Sequence, residues 1–173
     1  MSDNKRYTIV STKFGWVGIV GAQDGLDFLS LPLPSAEAAL SGFKNRIPNL
    51  VEDAAWFDDL ASRLQRYFNG ANVDFPDKLD FSKATSFQKR VWMATRAIPY
   101  GATQSYGWIA SQIGIPKAAR AVGSALASNP FPIIVPCHRV LASDGSLSGF
   151  SGGLGMKKRL LRLERTGMLR SQS

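Results

Sequence analysis

The chain changes character at about residue 85, and that change sets the architecture it can adopt. Residues 1–85 carry 9 basic and 11 acidic side chains; residues 86–173 carry 12 basic and only two acidic ones, Asp144 and Glu164. The first half therefore nets −2 and the second +10, which together give the formal +8 of the 173-residue chain. A mildly acidic half joined to a half almost devoid of acid points to a polyanionic partner at one end. Nucleic acid comes first and an anionic membrane surface second.

The patterning shifts at the same place. Tyr7 to Val20 is rich in β-branched and aromatic residues, Gly21 to Gly25 is a turn signal, and Leu26 to Leu31 resumes an extended pattern that Pro32 and Pro34 stop. This reads as antiparallel strands joined by tight turns. Ser35 to Phe43 reads as a capped helix. Val51 to Phe68 reads as a stronger one, with Trp56, Leu60, Leu64 and Phe68 at spacing four, and Val73 to Phe81 as a strand followed by loop. Beyond residue 85 short helical patterns take over: Ser86, as cap, to Ala97; Ser105 to Ile113; and Lys117 to Leu126, closed by Asn129-Pro130. The last two, separated by Gly114-Ile-Pro116, have a helix-turn-helix shape. A Gly/Ser-rich loop at 148–155 leads to a final basic helix over Met156 to Arg165.

Composition removes several classes of function. With one cysteine and one histidine, neither an internal disulfide nor a multi-cysteine zinc site can form. No run reaches the 18 or so apolar residues of a membrane helix, and Met1 to Arg6 lacks a signal-peptide core. The expectation is a cytoplasmic protein without metal, cofactor or membrane partner.

The two singletons, Cys137 and His138, are adjacent. A nucleophilic thiol needs a base, because an ordinary thiol is only a few per cent ionised at neutral pH, and His138 is the only imidazole available. Sequence neighbours rarely face each other, so the link could run through a water. A carboxylate should then hold the ring. Of the two acids on offer, Asp144 sits in a turn, while Glu164 lies among leucines of the last helix. Glu164 is equally readable as an exposed partner of Arg159, Arg162 or Arg165.

Pro136-Cys-His-Arg-Val140 resembles the active-site signature of the O6-alkylguanine-DNA alkyltransferases, the methylated-DNA–protein-cysteine methyltransferases. Other segments match in order: Ile98 to Tyr106, Ala118 to Gly123 with Asn129-Pro130, Gly149 to Leu154, and Leu160-Leu161 to Glu164. The resemblance implies an α+β protein. Residues 1–85 would form a supporting domain, a small antiparallel sheet with flanking helices of the ribonuclease H-like kind. Residues 86–173 would form a mostly helical DNA-binding and catalytic domain with a winged helix-turn-helix.

It also implies repair by direct reversal. The protein would flip O6-alkylguanine out of double-stranded DNA and move the alkyl group irreversibly onto Cys137, once per chain and as a monomer. His138 would be the base, Glu164 its orienter and Asn129 a brace of the same network. Tyr106 would help turn the nucleotide out and donate a hydrogen bond to the leaving guanine, and Arg120 would fill the gap in the stack. The carbonyls of Cys137 and Val140 and the amide of Ser151 would hold the base. Small residues, Ala118, Ala119, Ala121, Gly123 and Ala125, would let a helix approach the backbone closely. Lys117, Arg120, Arg139 and the Lys157-Lys-Arg159 cluster would meet phosphates. Phe150 stands where tyrosine is common, removing one hydroxyl from the alkyl pocket. Two rival readings are a non-catalytic sensor of alkylated DNA, which leaves Cys137, His138 and Glu164 without a task, and a cysteine hydrolase, which leaves the basic half without one.

Overall fold

The computed structural model describes residues 4–172, and the chain forms two compact units, Met1–Phe81 and Ser82–Ser173. The boundary falls four residues before the position at which composition changes.

In the first unit, β1 (Arg6–Thr12) and β2 (Gly15–Ala22) form a hairpin, and β3 (Gly25–Leu29) adds antiparallel to β2. Helix α1 (Ala36–Ser41) follows, its first turn closed by the Ser35 hydroxyl accepting from the Ala38 amide at 3.1 Å. The expected antiparallel sheet is in fact mixed. A two-residue strand, β4 (Val51–Glu52), pairs parallel to β1, giving the order β3-β2-β1-β4. The helix expected from Val51 is also shorter. A 3₁₀ turn at Ala55–Phe57 precedes α2 (Asp58–Phe68), and Trp56 is 41% exposed rather than on the buried stripe. Leu60, Leu64, Tyr67 and Phe68 carry that stripe, and the helix packs on β1. The strand expected at Val73 to Phe81 does not form. Leu79 makes one isolated bridge to Leu26 and the rest is loop.

In the second unit, α3 (Ser86–Arg96) begins with a reciprocal cap one residue earlier than expected. The Thr85 hydroxyl accepts from the Gln88 amide at 3.1 Å, and the Gln88 side chain accepts from the Thr85 amide at 2.9 Å. Helices α4 (Tyr106–Gln112) and α5 (Ala119–Ala127) pack on each other and on α3, whose Trp92 indole donates to the Ala125 carbonyl at 2.8 Å. Two short strands, β5 (Gln104–Ser105) and β6 (Val140–Leu141), pair in parallel. That pairing matters for the site. It brings Tyr106, the first residue of α4, beside the 3₁₀ turn at Cys137–Arg139. The final helix, α6 (Leu154–Ser171), is longer than its sequence pattern suggested, and Lys157, Leu160, Glu164 and Gly167 form its buried face.

Candidate active site

Cys137 is held by a stretch with little conformational choice. Between Pro132 and Pro136, Ile133 has φ of +75°, a region that costs a β-branched residue about 1–3 kcal/mol. Tertiary bonds maintain it. The Val135 amide donates to the Phe131 carbonyl at 2.8 Å, and the Asn129 side-chain amide donates to the Val135 carbonyl at 3.0 Å. The Asn129 side-chain oxygen accepts from the Phe131 amide at 2.9 Å, so this one residue pins both ends of the turn. The thiol emerges buried, on the wall of a cavity of about 640 Å³. Tyr106, Arg120, Gly123, Phe150 and Ser151 also line that cavity. Its size is that of a small-molecule site.

Behind the thiol lies a buried charge cluster. Glu164 Oε1 stands 2.7 Å from His138 Nε2, with His138 wholly buried and Glu164 1% exposed. Arg139 grips the same carboxylate: Nη2 donates to Oε1 at 2.7 Å and Nε to Oε2 at 2.9 Å, while Nη1 donates to the Ile98 carbonyl at 2.7 Å. The Gly101 amide adds a bond to Oε2 at 3.2 Å. Gly101 has φ of +77° and the Met168 side chain packed where a Cβ would stand, so glycine is required there. Burial alone would raise the Glu164 pKa. The bonds and charges of His138 and Arg139 overcome it and hold the carboxyl at about 2. An ionised carboxylate only accepts, so Nε2 carries the proton and Nδ1, also buried, keeps its lone pair. Burial, opposed by Glu164 and assisted by Arg139 and Lys157, lowers the His138 pKa, and the imidazole is neutral at physiological pH. Burial likewise pushes the Cys137 thiol up, against the pull of an Asn129 hydrogen bond and the nearby positive charge of Lys157.

The sequence placed two cations wrongly. Arg139, read as a phosphate contact, is 8% exposed and committed to Glu164 and Ile98; it cannot reach a DNA backbone. Lys157, read as part of a phosphate cluster, is fully buried. Its ammonium donates to the Val140 carbonyl at 2.6 Å and the Ser148 carbonyl at 2.9 Å. It thus ties the loop at 148–153 to the segment that follows the cysteine. Its position could have been found in the sequence: Lys157, Leu160 and Glu164 share one helix face at spacings of three and four. The reading of Glu164 as an exposed partner of neighbouring arginines fails for the same reason.

Of the other expected site residues, Tyr106, Arg120 and Ser151 line the cavity. The Tyr106 hydroxyl donates to the Ser148 carbonyl at 3.3 Å, and Gly123 of α5 lies against its ring. Arg120 and Ser151 are exposed at the cavity. Ala119 opens α5 and Lys117 is exposed just before it. The Cys137 carbonyl accepts from the Val140 amide and the Val140 carbonyl from Lys157, which leaves each a second lone pair for a ligand. Among the described residues, no group of three His, Cys, Asp or Glu side chains could hold a metal ion, and no helix is long and apolar enough to cross a membrane.

Residues 86–166 match the family model of the 6-O-methylguanine DNA methyltransferase DNA-binding domain. Similarity extends well beyond it. A methylated-DNA–protein-cysteine methyltransferase of Mycolicibacterium paratuberculosis is 41% identical over 159 residues, 92% of each chain. That of Mycobacterium leprae is 50% identical over 127 residues, 73% of this chain and 76% of the relative. The structure of Mycobacterium tuberculosis OGT in complex with DNA superposes with a TM-score of 0.81 at 39% identity, covering 94% of both chains. The chain belongs to the methylated-DNA–protein-cysteine methyltransferase family.

Proposed function

We propose that this chain repairs DNA by taking the alkyl group of O6-alkylguanine onto Cys137. The observation that carries the proposal is a buried thiol on the wall of a base-sized cavity, backed by a neutral imidazole whose tautomer a buried carboxylate fixes. The family's DNA chemistry and the DNA complex of the Mycobacterium tuberculosis relative support it.

A base inside a duplex cannot present O6 to a buried sulfur, so the nucleotide must leave the stack at about a few kcal/mol. Helices α4 and α5 serve as the helix-turn-helix, with β5 and β6 as its small wing. Lys117 and Arg120 meet phosphates, Arg120 also fills the vacated stack, and Ala119 and Gly123 allow close approach. In the first unit, three antiparallel strands and a fourth parallel to β1 are the pattern that supports the ribonuclease H-like reading. With the base in the cavity, the Cys137 proton passes to His138 Nδ1, directly or through a water. Sulfur attacks the alkyl carbon in line, an S–C bond forms, and the C–O6 bond breaks. Guanine leaves as a neutral base on taking a proton from the Tyr106 hydroxyl, and the proton held by His138 returns to that oxygen through water, so that none is gained or lost overall. For that task the Tyr106 hydroxyl must exchange its Ser148 partner for the base. The product is a thioether, and the chain holds no other thiol to regenerate it, so each chain acts once.

The test is intact-protein and peptide mass spectrometry after mixing with a duplex that contains O6-methylguanine. One methyl increment is expected on the Cys137 peptide, stoichiometric and absent from Cys137→Ser. Binding without an increment would overturn transfer and leave a sensor of alkylated DNA.

A further inference from the structure

The structure assigns to the outward face of α6 a second surface for DNA phosphates, separate from the α4–α5 pair and the cavity. The burial of Glu164 leads to it. That carboxylate is the only acid on α6, and it is turned inward to His138 and Arg139. The only other acid of the second unit, Asp144, accepts from the amide and hydroxyl of Ser146. What α6 presents outward is five cations, Lys158, Arg159, Arg162, Arg165 and Arg170, all exposed, of which Lys158, Arg162 and Arg165 lie at spacings of four and three along one face. Arg170 has a local explanation, since a cation in the last turn favours the helix dipole. Lys158, Arg162 and Arg165 have none of that kind. Each of the pairs Lys158–Arg162 and Arg162–Arg165 puts like charges on neighbouring positions of a helix, which destabilises it.

Spacing fits the partner. Seven residues of helix separate Lys158 from Arg165, a rise of about 10 Å. One strand of B-DNA offers a phosphate about every 3.4 Å along its axis, so that length faces three phosphates. Continuity fits as well. Helix α6 starts at Leu154, directly after the loop residues Gly149, Phe150 and Ser151 that line the cavity. The charged face therefore begins at the lip through which a base would enter. None of the three residues contributes to the cluster behind Cys137. The surface adds affinity without sequence preference and follows backbone beyond the nucleotide being repaired, in the same duplex or in a second one.

The inference takes from the proposed function only that DNA is the partner, and its test does not depend on alkyl transfer. Binding to an undamaged duplex is measured by fluorescence anisotropy across a salt series. Arg162→Gln/Arg165→Gln should flatten the slope of log K against log [salt] by about 2, and adding Lys158→Gln by about 3, at roughly 0.9 per phosphate contact. The double variant should still take methyl from the free base O6-methylguanine at the parental rate. Repeating the series on duplexes of about 12 and 30 base pairs separates the two sources of phosphate. A difference confined to the longer duplex means flanking backbone. A difference that appears at both lengths only when duplex is in excess means a second molecule. An unchanged slope overturns the inference. So does an unchanged slope with lost binding to phosphatidylglycerol vesicles, which would make the face a membrane contact. A flattened slope in a protein that transfers no methyl group would sink the repair function and leave this surface standing.

Discussion

Each unit holds an arginine forked onto a carboxylate, and the two pairs do different work. In the first unit Arg63 donates to both oxygens of Asp77 at 2.7 Å, reaches Asp59 at 3.1 Å, and lies over the Phe75 ring. In the second, Arg139 holds Glu164 at similar distances. The difference is water. Asp77 is 14% exposed and Asp59 is 89% exposed, whereas Glu164 is 1% exposed and shares its oxygens with a buried imidazole. The first pair is a clasp between α2 and the loop after it. The second sets the protonation state of the chain's single imidazole. Geometry alone does not distinguish a clasp from a catalytic support; what the carboxylate touches next does.

Breaking the buried pair should give the largest effect. Arg139→Gln leaves a carboxylate buried without its cation, a change that typically costs about 3–5 kcal/mol. It also removes a charge that holds His138 neutral, so the imidazole should take up a proton at higher pH than in the parent. Because the chain has one histidine, nitrogen NMR of a histidine-labelled sample reads that titration without ambiguity. Arg139→Lys keeps the charge and loses the fork, so it should restore the parental titration while recovering only part of the stability. A folded Arg139→Gln protein whose histidine titrates as in the parent would show that Arg139 is a clasp like Arg63.

Much of this site could be read before any coordinates, and what could not has a common cause. Cys137, His138 and Glu164 stand out through scarcity: one thiol, one imidazole and two acids in a basic half leave few assignments. Arg139 and Lys157 carry no such mark, because a cation in a basic half reads as a surface charge until packing buries it. Their burial depends on contacts with Ile98, Tyr100 and Ser148, which lie 41, 39 and 9 residues away in sequence. The same holds for the fold. The hairpin of β1 and β2 has a local pattern that announces it. Strand β4 is two residues long and pairs in parallel with a strand some 45 residues earlier, which leaves no periodic trace. Trp56 lies at helical spacing from Leu60 but belongs to a 3₁₀ turn whose outer side faces solvent.

Acid should separate the two regions next. The folded-state pKa of Glu164 is about 2, below the usual carboxylate value of 4.5, so its contribution is complete above about pH 4.5 and is lost as pH falls toward 2. The depression corresponds to a loss on the order of 3 kcal/mol across that window. His138 acts in the same direction. Its pKa is lowered on folding, so the unfolded chain binds the proton more readily and stability begins to fall below about pH 6.5. Hydrogen exchange between pH 6 and 3 should therefore show α6 and the turn at 137–139 opening before β1 and β2. Equal loss of protection in both units would remove the distinction drawn from burial.

The smallest effect belongs to Arg63. Its pKa is raised chiefly by the hydrogen bonds to Asp77, against a burial penalty, so the cation is held firmly. Yet the oxygens it would abandon can reach water, since Asp77 is partly open and Asp59 almost wholly so. The cost of Arg63→Gln should lie near the upper end for exposed pairs, about 1 kcal/mol, far below that of a desolvated pair. In a chain of this size that is a fall in melting temperature of about 2–4 °C. Part of it comes from lost packing of the guanidinium on Phe75 rather than from charge, so Arg63→Lys should recover less than half. Neither substitution should alter methyl transfer or the histidine titration, because Arg63 and the groups it bonds all lie in the first unit. Calorimetry sets the comparison. A loss for Arg63→Gln as large as that for Arg139→Gln would mean that fork geometry, not desolvation of the carboxylate, decides what such a pair contributes.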